Sequence, residues 1–426
     1  MLSGFANLSR GYNELRNTLG SGVTGNTADS GSVIQGSIPC SPTTMKRQRT
    51  APRRDTLSLL YRATSRVVAR RGIDAATVSE IVKTAGLTTG SVYGKFESRD
   101  DLFLHVWDQG AGSALFGHLE ERLSAWRDEK PTSKRNISDE VEFGIQMLVM
   151  ARRNEYLAET VQRDFSQFLV KCDSVDSTKS LKSGDAFVIA LELANLLYQP
   201  VRQATDAWEQ ARLVFDTVTR DLPTSHISET KMTSQMGSPN SVERTLQESC
   251  VRVIAKVGFN NATLTRIARG ANVTTGSIFA QFDSREEFLR SAIVQVFGSA
   301  ASQVDRQVFA SPSRELLTSA FSSLLAFHQS GSRHEWNSFR LECFLAARNV
   351  KFLRSELRSI LHAGRSRYEQ LLLPATGFDP EFLDGVMVVG QGLPMGLHLL
   401  GSHEPSTALL RHDELVNRLL IHIGID

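Results

Sequence analysis

The 426 residues contain no run of roughly 18 uncharged apolar residues, so a membrane-spanning helix is not expected. The richest apolar stretch, Gly385–Leu400, is broken by glycines, Gln391 and Pro394, and reads as a buried helical region. The N-terminus lacks a compact apolar core with a cleavage site, which argues against a secretory signal. Cysteine is scarce, limited to Cys40, Cys172, Cys250 and Cys343, and no CxxC pair occurs. That excludes a disulfide framework or a cysteine zinc site and suits a reducing compartment. Segments with β alternation are few, so an all-α chain is expected. No nucleophile motif, phosphate-binding glycine loop or metal set stands out, so neither an enzyme nor a cofactor is expected. His398, His403, Glu404 and His412 gather near the C-terminus, but without a metal-ligand spacing.

Net charge is also small, at +2, but it is unevenly placed. From Met45 to Phe103 there are 12 Lys and Arg against 6 Asp and Glu. From Ser238 to Arg290 there are 7 against 5, and the remainder is acidic. Basic charge therefore gathers where a phosphate-facing surface would need it.

One 33-residue stretch occurs twice, 186 residues apart. Arg71–Phe103 and Val257–Leu289 align without a gap and share 12 identical positions, including Thr-Thr-Gly-Ser at 88–91 and 274–277. Chance would give roughly two matches. The repeat implies two copies of a domain rather than a solenoid.

The chain divides around these copies. Residues 1–44 are rich in Ser, Gly, Thr and Asn and are expected to be disordered, with Met45 a candidate natural start. A first head with a basic arm is expected at 45–110 and a helical domain at 111–220. The polar stretch 221–241 reads as a linker, followed by a second head at 242–298 and a second helical domain at 299–426. Candidate helices in the helical domains lie near 113–127, 137–152, 155–172, 183–199, 204–220, 298–309, 313–330, 333–348, 350–372, 379–400 and 405–423.

Each copy has the layout of a helix-turn-helix. Gly72 ends the first helix, Thr77-Val-Ser-Glu80 caps the second, and Gly86 marks the turn. Thr88 or Thr89 opens a third helix reaching about Phe96, and Ser98 opens a fourth, running through Trp107. Ile81, Ala85, Leu87, Val92 and Phe96 face inward, leaving Thr88, Thr89, Gly90, Ser91, Tyr93, Gly94 and Lys95 outward. Small and polar residues at that corner let the backbone approach a major groove. The second copy repeats the plan with Gly258, Thr263, Asn272, Thr274 and Ser284-Arg-Glu-Glu287.

This pattern resembles the N-terminal DNA-binding domain of TetR-family transcriptional regulators, over about 50 residues in each half. The resemblance implies two three-helix heads, each with a helical domain for ligand binding and dimerisation. With both halves on one polypeptide, a covalent pseudo-dimer on double-stranded DNA is expected, acting in the cytoplasm at the nucleoid as a ligand-responsive repressor. Whether two chains also pair is left open, as is the identity of the small-molecule effector.

The expected DNA-binding residues of the first half are Arg47, Arg49, Arg53 and Arg54 of the arm, Thr88, Thr89, Gly90, Ser91, Tyr93, Lys95 and Arg99. Those of the second are Thr274, Thr275, Gly276, Ser277, Phe279, Gln281 and Arg285. The second copy departs from the first: Phe279 and Gln281 replace Tyr93 and Lys95, and no basic arm precedes it. Its counterion release would be weaker, while Gln281 could read an adenine. An asymmetric operator follows. The alternative is a head that no longer binds DNA and serves as an interaction module. For the arm, the alternative is a solvated charge run; for Arg99 and Arg285 it is surface capping. Phe143, Met147, Phe165, Phe168, Tyr198, Trp336, Phe339, Phe344 and Met395 could line ligand cavities or be plain core.

Overall fold

The structure, a computed structural model, describes residues 56–129, 137–173, 183–201, 206–220, 222, 242–308, 313–329, 334–376, 392–401, 411–422 and 424–425. The expectations for 1–44 and, apart from Leu222, for 221–241 lie outside them. Among the described residues every regular element is helical. None of these helices is long and apolar enough to cross a membrane.

The first head comprises α1 (Thr56–Arg71), α2 (Val78–Ala85), α3 (Gly90–Tyr93) and α4 (Arg99–Val106). The first helical domain adds α5 (Gly112–Arg127), α6 (Asp139–Ala151), α7 (Glu155–Asp173), α8 (Ser183–Tyr198) and α9 (Asp206–Val218). The second head is α10 (Val242–Val257), α11 (Leu264–Gly270), α12 (Thr275–Phe279) and the start of α13 (Arg285–Val308). Then follow α14 (Arg314–Gln329), α15 (His334–Ala346), α16 (Lys351–Thr376), α17 (392–401) and α18 (His412–His422).

The two heads have matching cores. Leu60, Val68, Ile73, Ile81, Val92 and Phe96 are buried in the first, and Leu246, Ile254, Phe259, Ile267, Ile278 and Phe282 at the same repeat positions in the second. Burying such side chains contributes about 1.5–3 kcal/mol each, which is why these positions stay apolar and of similar size. The first head is tied to its helical domain by a buried glutamine. Gln146 accepts from the Ile73 amide at 2.8 Å and donates to the Val68 carbonyl at 3.3 Å.

The two halves leave their heads differently. In the first, a π-helical turn, Trp107–Ala111, breaks the path between α4 and α5, with Gly110 at φ 145°. In the second, α13 runs straight through 24 residues, so the helix expected to start near 298 is a continuation of the fourth one. Val296 stands where the repeat has Gly110, and a β-branched residue cannot adopt that dihedral.

The halves then meet along their C-terminal helices. In α8 every side chain from Gly184 to Tyr198 is buried, as is every one from Gly392 to Leu400 in α17. Gly392 and Gly396 carry α17 onto α8. A Cβ on Gly392 would come to 3.2 Å of the Ala194 Cβ, and one on Gly396 would run into the Ala190 carbonyl. Beside them Tyr198 stacks on Phe344 at 4.0 Å between ring centroids, and Phe187 meets the edge of His412 at 5.8 Å.

His412 is buried at this seam, and burial lowers its pKa to about 4. Between about pH 4 and the ordinary histidine value of 6.5, the unfolded chain binds a proton that the folded chain resists. Stability from this group is therefore complete above 6.5 and is lost as the pH falls toward 4, a change of about 3 kcal/mol. Urea unfolding of the parent and of His412→Phe at pH 7.5 and 4.5 tests this: the variant should lose less stability in acid. An equal acid loss in both would place the sensitivity elsewhere.

Candidate nucleic-acid interface

The turn in each head depends on a left-handed residue. Gly86 ends α2 at φ 67°, and its repeat partner Asn272 follows α11 at φ 56°. Asparagine is among the few side chains that enter this region routinely. Thr77 caps α2 by accepting from the Glu80 amide at 3.2 Å, and Thr263 caps α11 from the Arg266 amide at 3.3 Å. Ser98 and Ser284 do the same for the fourth helices, at 3.0 and 3.1 Å.

Both Thr-Thr-Gly-Ser corners lie at the surface. Thr88, Thr89, Gly90, Thr274 and Gly276 are exposed, while Ser91, Thr275 and Ser277 are half-buried. The threonine hydroxyls do not cap the backbone as expected. Thr88 pairs with the Ser91 hydroxyl at 3.1 Å and Thr274 with Ser277 at 3.3 Å, giving both corners the same local geometry. The helices are shorter than expected: α3 stops at Tyr93, and a tighter turn carries the chain to Phe96.

Beyond each corner an aromatic ring points into solvent, Tyr93 at 60% exposure and Phe279 at 56%. Lys95 and Gln281 are exposed beside them. Gln281 donates to the Ser277 carbonyl at 3.1 Å, so its amide is partly spent on its own helix. The two arginines of the fourth helices, Arg99 half-buried and Arg285 exposed, each reach back to a carbonyl of their own head. Arg99 donates to the Asp74 carbonyl at 3.3 Å and lies 5.2 Å from the Phe103 ring centre, and Arg285 reaches the Ala262 carbonyl at 3.5 Å. Arg47, Arg49, Arg53 and Arg54 lie outside the described residues.

Most of the residues read as cavity lining or plain core are buried. Phe143, Met147, Phe165, Phe168, Tyr198, Phe339, Phe344 and Met395 are buried. None of these eight lines either of the two described cavities. Phe116, Phe165 and Phe168 form one stack. Trp336 does line a cavity of about 250 Å³, between α10, α13 and α15. Among the described residues no His, Cys, Asp or Glu cluster suits a metal; His403 and Glu404 lie outside them.

Two arginines that the repeat does not reveal form buried ion pairs between the halves, one of them reaching the first head. Arg153, just beyond α6, donates to Asp74 of the first head at 2.7 Å and to Glu342 on α15 at 2.6 Å. Arg348, just beyond α15, binds Glu142 on α6 through two bonds of 3.0 and 3.2 Å. All of these side chains are largely buried. Gly258 of the second head abuts the first of these pairs, since a Cβ there would lie 2.7 Å from both Arg153 and Asp74. A signal existed in the sequence: Ala-x-Arg-Asn recurs at 151–154 and 346–349, outside the 33-residue repeat.

Comparison with known proteins agrees with this geometry. The model for bacterial regulatory proteins of the tetR family matches residues 60–106 and again 248–292. The chain carries two TetR-family heads in tandem. The HTH-type transcriptional repressor BepR of Brucella suis biovar 1 (strain 1330) is 23% identical over 137 residues, 32% of this chain and 64% of that protein. The HTH-type transcriptional regulator AcrR of Shigella flexneri is 28% identical over 81 residues, 19% of this chain and 37% of that protein. The chain thus spans less than two thirds of the length of each. The solved structure of SCO7518 from Streptomyces coelicolor A3(2) aligns with 43% of this chain and 99% of its own, at 20% identity and a TM-score of 0.33.

The two turn residues of these TetR-family heads give a direct test. Nothing lies within 4 Å of a Cβ built on Gly86, so a substitution there meets only the backbone's own preference. Gly86→Asn should change thermal stability little, as Asn272 already shows the conformation is open to asparagine. Gly86→Val should cost about 1–2 kcal/mol by thermal denaturation. Equal losses for the two variants would mean that the turn is not set by this dihedral.

Proposed function

We propose that the chain is a sequence-specific DNA-binding transcriptional regulator that works as a covalent pseudo-dimer. The observation that carries this reading is the pair of exposed, matching Thr-Thr-Gly-Ser corners on two braced heads. In a family dimer, symmetry places two heads; here the α8–α17 seam and the Arg153 and Arg348 pairs would take that role within one chain. Successive major-groove faces of one duplex lie about 34–36 Å apart, and Thr88–Lys95 and Thr274–Gln281 would occupy two of them. Repression is the favoured outcome, released when a small molecule binds better to a spacing of the heads that does not match the duplex.

The two heads are unequal, so the operator is asymmetric. Lys95 supplies charge where Gln281 supplies an amide, and Tyr93 a hydroxyl where Phe279 has none. The hydrogen bond from Gln281 to its own helix favours a second reading, in which the second head has given up base contacts and only positions the first.

Footprinting against a genomic fragment library separates these readings. Protection over two adjacent half-sites supports the regulator, whereas protection of one half-site supports the second reading. Absence of any protected site would refute both. On the protected site, Lys95→Ala should weaken binding to all sequences alike and lower the salt slope by about 0.9, one phosphate contact. Gln281→Ala should relax sequence preference in one half-site alone. Equal relaxation in both would contradict the assignment of unequal heads.

A further inference from the structure

A cavity of about 250 Å³ lies beside the Arg153 ion pairs, where three parts of the molecule meet. The end of the first half's α6 contributes Arg152 and Arg153, the first helix of the second head contributes Arg252 and Lys256, and α15 contributes His334 and Glu342. Val149, Ala255 and Leu341 give it an apolar side. The volume is just under the range of about 300–1,000 Å³ typical of drug-sized ligands, so the space suits a small metabolite.

The lining is predominantly cationic. Four cations line it with two carboxylates, Glu335 and Glu342, while Asp74 and Glu342 together pair with Arg153 and leave Arg152, Arg252 and Lys256 as the cations facing the space. Arg252 and Lys256 stand one turn apart on α10, a like-charge spacing that costs stability. Arg152 is largely buried and donates to the His398 imidazole at 2.8 Å and to its carbonyl at 3.4 Å, with Glu342 close enough to favour its charge. Glu342 engages Arg153 through Oε1, while its buried Oε2 has no hydrogen-bond partner in the protein. Burial raises the Glu342 pKa to about 7 against the opposing pull of Arg153. Burial and Arg152 together lower the His334 pKa, as expected in a field that disfavours added positive charge.

We propose that this cavity binds a small organic carboxylate, which clamps the second head to the first half. The carboxylate would lie between Arg152 on one side and Arg252 and Lys256 on the other, with its apolar part against Val149, Ala255 and Leu341. It relieves repulsion between cations that belong to different halves, so its binding and the position of the second head are coupled. Occupancy of the cavity does not depend on the proposed function; its effect on DNA does.

Calorimetric titration of the full chain with benzoate, and with benzyl alcohol as an uncharged probe of similar shape, tests the site. One benzoate should bind per chain, at least about tenfold more tightly than the alcohol, a difference of about 1.4 kcal/mol. Arg252→Glu with Lys256→Glu, both exposed and so compatible with a native circular-dichroism spectrum, should remove the preference for benzoate. Absence of benzoate binding, equal binding of both probes, or an unchanged preference in the double variant would overturn the proposal. Repeating the footprint with benzoate reads the clamp: altered affinity at the second half-site supports it, and unaltered affinity with the cavity filled refutes it. Failure to bind DNA without benzoate would count against the regulator reading and leave the calorimetric result standing.

Discussion

The placement of both heads turns on one guanidinium. Arg153 belongs to the first half, yet it binds Asp74 of the first head and Glu342 of the second half, and it lies against the backbone of the second head at Gly258. Three charges removed from water must satisfy one another, because leaving one buried and unpaired costs about 3–5 kcal/mol. Arg348 and Glu142 form the reciprocal pair across the same seam. Such pairs add little net stability against an apolar core, but they fix geometry. Here the geometry is the relative placement of the two heads.

Around that junction the two halves are alike in plan and different in detail. The heads share their cores, caps and corner hydrogen bonds. They differ in charge at the surface and in the way each joins its helical domain. The first is joined through a broken helix with Gly110 at the break, and through Gln146; the second is joined through one straight helix. Duplication relieves each copy of the demand that both halves satisfy one sequence, which symmetry imposes on a dimer of identical chains. The basic cavity beside Arg153 is a product of that freedom, since its charges come from different places in the two halves.

Much of this was legible in the sequence because it rests on local rules. The repeat, the caps at Thr77, Ser98 and Ser284, the left-handed Gly86 and Asn272, and the inward set at Ile81, Val92 and Phe96 all follow from short-range sterics and burial. What escaped depends on partners far along the chain. Arg153 and Glu342 are 189 residues apart, and the recurring Ala-x-Arg-Asn marks the arginine without marking its partner. The aromatic residues were read as open to core or cavity because helical spacing shows which face is apolar, not whether the space is filled. The straight run of α13 was missed because its signal is negative: Val296 stands where a glycine would have permitted a break. Arg99 was read as a phosphate contact or a surface cap, and its bond to the Asp74 carbonyl 25 residues earlier had no mark in the residues around it.

The central claim is that buried ion pairs across the seam hold the two heads at one separation. Spin labels placed at Lys95 and Gln281, both exposed, allow that separation to be measured by pulsed dipolar spectroscopy. A single narrow distance distribution is expected in the parent, broadened by Arg153→Ala in protein that keeps its helical circular-dichroism signal. A broad distribution in the parent, or one that Arg153→Ala leaves unchanged, would contradict the account.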